Sequence, residues 1–179
     1  MTVEETAIYL RVTEKTIYRL VKQGKIKATK VGRQWRFQKA VIDEWLQQGS
    51  ASKGANILII DDEEVIRLLF KATLEELGHR VTVAENGLEG LELLKQQDFD
   101  LVFLDLKMPG MLGDELFGQI KAIKPGLPVV ITTGYPDSDM MKRALAQGPF
   151  GVMNKPFSGS DIVVAVNNFL QIAKQENNR

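Results

Sequence analysis

The stretch ILIIDDEEV, residues 57–65, sets four aliphatic side chains directly against four acids. An apolar run of that length bounded by polar residues reads as a strand buried on both faces, the kind found in parallel sheets. Asp61 and Asp62 carry like charges that repel, so a strand that ends in them needs a reason. A solvated loop would supply one, and a cation or a phosphate chemistry would supply another. The rest of the chain decides between them.

Downstream, strand and helix alternate. Residues 64–77 form an amphipathic helix closed by Gly78, RVTVA (80–84) a second strand, and LEGLELLKQQ (88–97) a second helix. LVFL (101–104) is a third buried strand ending in Asp105, and residues 114–122 are helical. PVVIT (128–132) is a fourth strand, SDMMKRALAQ (138–147) a helix, GVMN (151–154) a short fifth strand, and residues from 161 to about 176 a last helix. Such alternation predicts a parallel sheet covered by helices on both faces. Ligands of these sheets sit beyond the carboxyl ends of the strands. Here the first strand ends at Asp61-Asp62, the third at Asp105, the fourth at Thr132-Thr133, and the fifth leads into Lys155. A loop accounts for one acidic pair, but not for polar chemistry at the ends of four buried strands.

The motifs IIDDEE, FLDLKMPGMLGDEL, VVITTGY and NKPF, in this order and spacing, make residues 56–179 resemble the receiver domain of two-component response regulators. The resemblance implies a five-stranded flavodoxin-like α/β sheet in the order 2-1-3-4-5. It implies that Asp105 is the phosphoacceptor, a carboxylate nucleophile that forms an aspartyl-phosphate. It implies that Asp61, Asp62, Asp105 and the backbone carbonyl of Lys107 hold Mg²⁺, a hard cation suited to oxygen ligands. Close carboxylates raise one another's pKa, and a divalent cation reverses that effect. Thr133 is expected to hydrogen-bond a phosphoryl oxygen, Lys155 to pair with another as a point charge, and Lys155-Pro156 to be cis. The chain departs from the family at Val152, where receivers carry a Tyr or Phe that swings inward. The phosphoryl donor is expected to be a histidine of a sensor histidine kinase. The chain's single histidine, His79, reads as a solvated loop residue.

The segment before residue 56 has a different character. Residues 1–48 hold ten Lys/Arg against five Asp/Glu, and residues 49–179 thirteen against eighteen, so a net +5 is balanced by −5. That asymmetry predicts two modules with different partners, and a small basic module invites a nucleic-acid reading. Residues 49–55, rich in Gly, Ser and Ala, read as a linker with the boundary near Ser52. TVEE (2–5) is a capping-box pattern opening a helix whose apolar face is Val3, Ala7, Ile8 and Leu10. A short turn leads to a second helix from Thr13, with Ile17, Leu20 and Val21 inward and Gly24 at its end. Residues 26–31 and 34–37 read as a hairpin around Gly32-Arg33, and KAVIDEWLQQ (39–48) as a closing helix with Val41, Ile42, Trp45 and Leu46 inward.

This layout, carried by TVEETAIYLRVTEKTIYRLVKQGKIKATKVGRQWRF and VIDEWL, resembles the excisionase-like winged helix-turn-helix domains related to the MerR type. The resemblance implies that the second helix enters the major groove of double-stranded DNA while the hairpin wing contacts the neighbouring minor groove or backbone. Lys15, Thr16, Tyr18, Arg19 and Lys22 on the helix and Arg33 and Arg36 on the wing are the expected contacts. Trp35 reads as wing packing. A homodimer would place two basic modules on adjacent half-sites.

The whole chain then reads as a response regulator in which phosphorylation of Asp105 controls DNA binding, with no catalysis beyond its own phosphorylation and dephosphorylation. A receiver that signals only through protein contacts, with an N-terminal module that does not bind DNA, is the alternative. No apolar run approaches the roughly 18 residues of a membrane span, no secretory signal is visible, and cysteine is absent. These features fit a cytoplasmic protein.

Overall fold

The computed structural model describes residues 1–47 and 54–177 of the 179-residue chain. The proposed boundary at Ser52, most of the linker and the side chain of Leu46 lie outside the described residues; Gly54 and Ala55 of the linker lie within them.

The N-terminal module runs α1 (Val3–Leu10), α2 (Glu14–Lys22), β1 (Thr29–Val31), β2 (Gln34–Arg36) and α3 (Lys39–Gln47). Thr2 opens α1 with the expected capping box: its hydroxyl accepts from the Glu5 N–H at 3.0 Å while Glu5 accepts from the Thr2 N–H at 2.8 Å. α1 stops at Arg11, which adopts the left-handed conformation at φ 55°. Few non-glycine residues do so, and they persist where surrounding bonds fix them. Here the Arg11 N–H donates to the Ile8 carbonyl and the Val12 N–H to the Ala7 carbonyl. β1 and β2 pair antiparallel, with Val31 opposite Gln34 across a turn whose Gly32 has φ 61°. Leu10, Ile17, Leu20 and Ile42 are fully buried, and Trp35 packs on this core as expected. Ile8 does not join it: it is 71% exposed, because it falls on the flank of α1 rather than on the stripe of Val3, Ala7 and Leu10.

The second module runs β3 (Asn56–Ile60), α4 (Glu64–Glu76), β4 (Arg80–Ala84), α5 (Gly87–Gln96), β5 (Leu101–Asp105), α6 (Gly113–Ile123), β6 (Val129–Thr133), α7 (Asp139–Gln147), β7 (Gly151–Asn154) and α8 (Gly159–Asn177). The sheet order is β4-β3-β5-β6-β7, all parallel, which is the 2-1-3-4-5 order expected. Alternate residues of each strand serve two cores, as the pleat requires. Ile57, Ile59, Phe103 and Val130 pack toward Phe70, Leu74 and Phe169, while Leu58, Ile60, Leu104 and Ile131 pack toward Leu91, Leu116 and Ile120. His79 is 5% exposed rather than solvated, and burial lowers its pKa. It lies just before β4, at the amino edge of the sheet and away from the acids at the carboxyl edge.

The first of these cores continues without a break into Leu10, Ile17, Leu20 and Ile42 of the N-terminal module. Val12 forms an antiparallel bridge with Gly151, so the turn between α1 and α2 caps the free edge of β7.

Candidate functional site

Buried strands β3, β5 and β6 deliver Asp61, Asp105 and Thr133 to the carboxyl edge of the sheet, where they are 1%, 4% and 1% exposed. The β5–β6 register sets Asp105 beside Thr132, which places Thr133 one residue further along the neighbouring strand. Lys155, just past β7, reaches back over these ends. Its Nζ donates to Asp105 Oδ2 at 2.8 Å and to Glu63 Oε1 at 2.7 Å, and lies 2.9 Å from Asp61 Oδ2. The Lys155-Pro156 peptide is cis, as expected.

The electrostatics follow from that packing. Burial pushes the Asp61 carboxyl up to about 6, against the lowering hydrogen bond of Lys155 and with a further push from the charge of Asp105. Burial by itself would pull the Lys155 ammonium down, but bonds to Asp105, Glu63 and Asp61 together outweigh it and hold the group above its ordinary value. Asp105 Oδ1 also accepts from the Lys107 N–H at 3.1 Å, and Asp61 Oδ1 from the Glu63 N–H at 2.9 Å.

One atom of the nest is left over. Asp61 Oδ2 is fully buried, and among the described residues it has no well-aligned donor: the Lys155 ammonium, 2.9 Å away, meets it off the ideal hydrogen-bond angle. A buried carboxylate oxygen whose donor is poorly aligned is costly. Oxygens of Asp61, Glu63 and Asp105 also come within 4.8 Å of one another, which is the donor set a hard divalent cation takes. The residues present therefore fit Mg²⁺. Glu63 is a member that the sequence did not single out, since nothing in IIDDEE marks the third acid over the second. Asp62 stands outside this cluster: it is exposed, its backbone carbonyl accepting from Arg67.

The loop after Asp105 is held close by Gly113 at the start of α6. A Cβ there would stand 2.4 Å from the Leu106 backbone, so only glycine lets the helix seat against it. Thr133 accepts from the Tyr135 N–H at 3.0 Å, and the Tyr135 ring lies 4.0 Å from the Lys107 ammonium.

The residues singled out on the N-terminal module divide in two. Lys15, Tyr18, Arg19, Lys22, Arg33 and Arg36 are exposed. Thr16 is not: at 3% exposure its hydroxyl donates to the Phe150 carbonyl at 2.9 Å, so in this arrangement it cannot meet a base edge. The helical spacing that placed Thr16 beside Lys15 held no sign of a second module against that flank.

A doubly wound five-stranded parallel sheet of this order, with an acid–lysine nest at its carboxyl edge, defines the CheY-like receiver class. Sequence comparison agrees. Residues 57–167 match the response regulator receiver domain, and residues 1–50 match a helix-turn-helix domain. The chain belongs to the response regulator receiver family, with a helix-turn-helix domain ahead of the receiver. It is similar to sporulation initiation phosphotransferase F of Bacillus subtilis, at 35% identity over 116 residues that make up 65% of this chain and 94% of that protein. It is similar to the transcriptional regulatory protein GlrR of Escherichia coli, at 34% identity over 119 residues, 66% of this chain but only 27% of that one. The chain thus spans about a quarter of such transcriptional regulators. Among solved structures, a CheY-like receiver from Methanospirillum hungatei superposes with a TM-score of 0.67 at 29% identity, covering 70% of this chain and all of that one.

Proposed function

We propose that this chain is a two-component response regulator: Asp105 accepts a phosphoryl group from a phosphohistidine of a sensor histidine kinase, and the phosphorylated receiver sets how the N-terminal module binds double-stranded DNA. The observation that carries the reading is Lys155 Nζ, drawn 2.8 Å from Asp105 Oδ2 in a nest of buried acids.

In the transfer, an Asp105 oxygen attacks phosphorus, the new P–O bond forms as the P–N bond to the donor imidazole breaks, and the imidazole leaves with the electron pair. There is little covalent work for the protein beyond positioning and charge neutralisation. Lys155 holds a fixed positive charge where the phosphoryl oxygens arrive. The Thr133 hydroxyl, buried one residue beyond the Asp105 partner on the neighbouring strand, is a donor for one of them. Asp61, Glu63 and Asp105, with Asp62 and the Lys107 carbonyl adjoining, would hold Mg²⁺, which when bound neutralises charge on the carboxylates and the phosphoryl oxygens. Lys15, Tyr18, Arg19 and Lys22 of α2 and Arg33 and Arg36 of the wing would meet DNA, and a homodimer would set two such modules on neighbouring half-sites. The division of labour runs by domain: residues 1–48 bind DNA, 49–55 link, and 56–179 receive.

The test compares DNA binding by the full chain with and without beryllofluoride and Mg²⁺, with binding of the mimic followed by Tyr135 or tryptophan fluorescence. A change in affinity once the mimic is bound is expected. The mimic bound with DNA affinity and oligomeric state unchanged would contradict regulation by this route.

A further inference from the structure

One flank of α2, at Thr13 and Thr16, does not lie open, although Lys15, Tyr18, Arg19 and Lys22 stay exposed beside it. Thr13 Oγ1 donates to the Pro149 carbonyl at 3.2 Å and the Thr13 N–H to the Phe150 carbonyl at 3.3 Å; Thr16 donates to the same Phe150 carbonyl. The Arg19 guanidinium lies 5.6 Å from the Phe150 ring centre. The Lys15 side chain lies across Gly148, where a Cβ would stand 2.7 Å from its Nζ. At Gly151 a Cβ would stand 2.5 Å from the Arg11 carbonyl. The receiver backbone is bare at both positions, which lets it approach α2 closely. One end of the contact is pinned by Arg11, whose guanidinium meets Asp161 Oδ1 at 2.6 Å.

From this geometry we infer that residues 148–151 of the receiver are a docking surface for the chain's own recognition helix, and that DNA binding requires this contact to open. The inference rests on the reading of α2 as the helix that enters DNA. A helix with its side chains is about 10–12 Å across, and the major groove is about 12 Å wide. The helix fills the groove, so a receiver segment held against its Thr13–Thr16 flank collides with the DNA backbone. Lys22, Tyr18 and the wing arginines face outward, but they cannot seat while that flank is covered.

The same segment leads to the phosphoryl site. β7 runs from Gly151 to Asn154, Lys155 follows with its ammonium in the acid nest, and Asp161, six residues later, holds Arg11. A new charge at Asp105 therefore acts on a short stretch of chain that carries both the lysine and the clamp. Arg11 is suited to the clamp. Its left-handed backbone, fixed by the closing bonds of α1, aims the side chain from the end of that helix toward the receiver.

The absence of cysteine makes the test direct. Thr16→Cys introduces a single thiol at a position 3% exposed, and its rate of maleimide labelling in the full chain reads the open population. Labelling far slower than that of a free thiol is expected, rising about tenfold, the ratio of one 1.4 kcal/mol step, when Arg11→Glu is added to break the clamp. With Thr16 intact, Arg11→Glu should bind random-sequence duplex DNA about tenfold tighter, although it makes the module less basic, so the gain cannot come from charge. Combining Arg11→Glu with Asp161→Arg should restore slow labelling and weaker binding. If Arg11→Glu folds poorly, Asp161→Asn, which keeps an acceptor for Ser158, replaces it. Fast labelling of the resting protein, or an opened variant with unchanged or weaker DNA affinity, would overturn the inference. Beryllofluoride failing to bind would instead count against the phosphoryl site, and would leave the effect of Arg11→Glu standing.

Discussion

Asp61 is held at the end of a strand whose other residues are almost wholly buried, and its chemistry follows from that position. Burial raises its pKa to about 6, and Lys155 is the leading influence in the opposite direction. In a metal-free buffer, Lys155→Ala should therefore leave Asp61 more fully protonated near neutral pH. A carboxyl with a raised folded pKa loses stability as pH climbs through that value. The variant should thus be more destabilised at pH 8 than at pH 5, by about 1–3 kcal/mol at the higher pH, as read by urea unfolding. Asp161 behaves in the opposite sense. The Ser158 N–H and hydroxyl, and then Arg11, hold it down at about 2. Its contribution is complete above the ordinary carboxylate range and is lost as pH falls through about 2. In an NMR titration, Arg11→Ala should raise the Asp161 pKa only part of the way, because Ser158 supplies the larger share. At this scale the place of Asp105, Thr133 and Lys155 at one edge of the sheet was legible, because each ends or follows an apolar run. That Glu63 joins the acids, that Asp62 faces outward and that Thr16 is buried was not, because which of several neighbouring polar side chains turns inward depends on contacts that residue types do not encode.

Elements show the same division. The parallel strands could be read from their unbroken apolar runs, and α1 from the Thr2–Glu5 capping box. Ile8 misled because it is apolar and adjoins Ala7, while its spacing of five from Val3 and two from Leu10 puts it off their stripe, on the rim of an open groove of about 620 Å³ between the modules, with Val152 on the other side. α6 gives a sharper test of the account. Gly113→Ala would drive a methyl group into the Leu106 backbone, costing about 1–3 kcal/mol as for an overpacked core and displacing the loop beside Asp105. Thermal unfolding should show the loss, and the Asp105–Lys107 amide resonances should move. On the DNA-facing side, Lys22→Ala and Arg33→Ala should each weaken duplex binding across all sequences and lower the slope of log affinity against log salt by about 1. A variant that changed affinity without changing that slope would place its residue away from phosphate.

At the scale of the whole molecule, the two modules share one hydrophobic core. Their opposite net charges were visible in the sequence; their docking was not, because it joins residues about 140 positions apart through small polar groups and bare glycines rather than through a periodic apolar face. That arrangement lets chemistry at one edge of the sheet bear on a helix at its side, and it all depends on Asp105 receiving a phosphoryl group. The most direct measurement is intact mass after exposure to acetyl phosphate, with and without Mg²⁺, for the natural chain and for Asp105→Asn. The account predicts the mass of a single added phosphoryl group on the natural chain only with Mg²⁺ present, its loss in alkali as befits an acyl phosphate, and none on Asp105→Asn. Equal phosphorylation of Asp105→Asn, or none of the natural chain while it binds Mg²⁺, would contradict it.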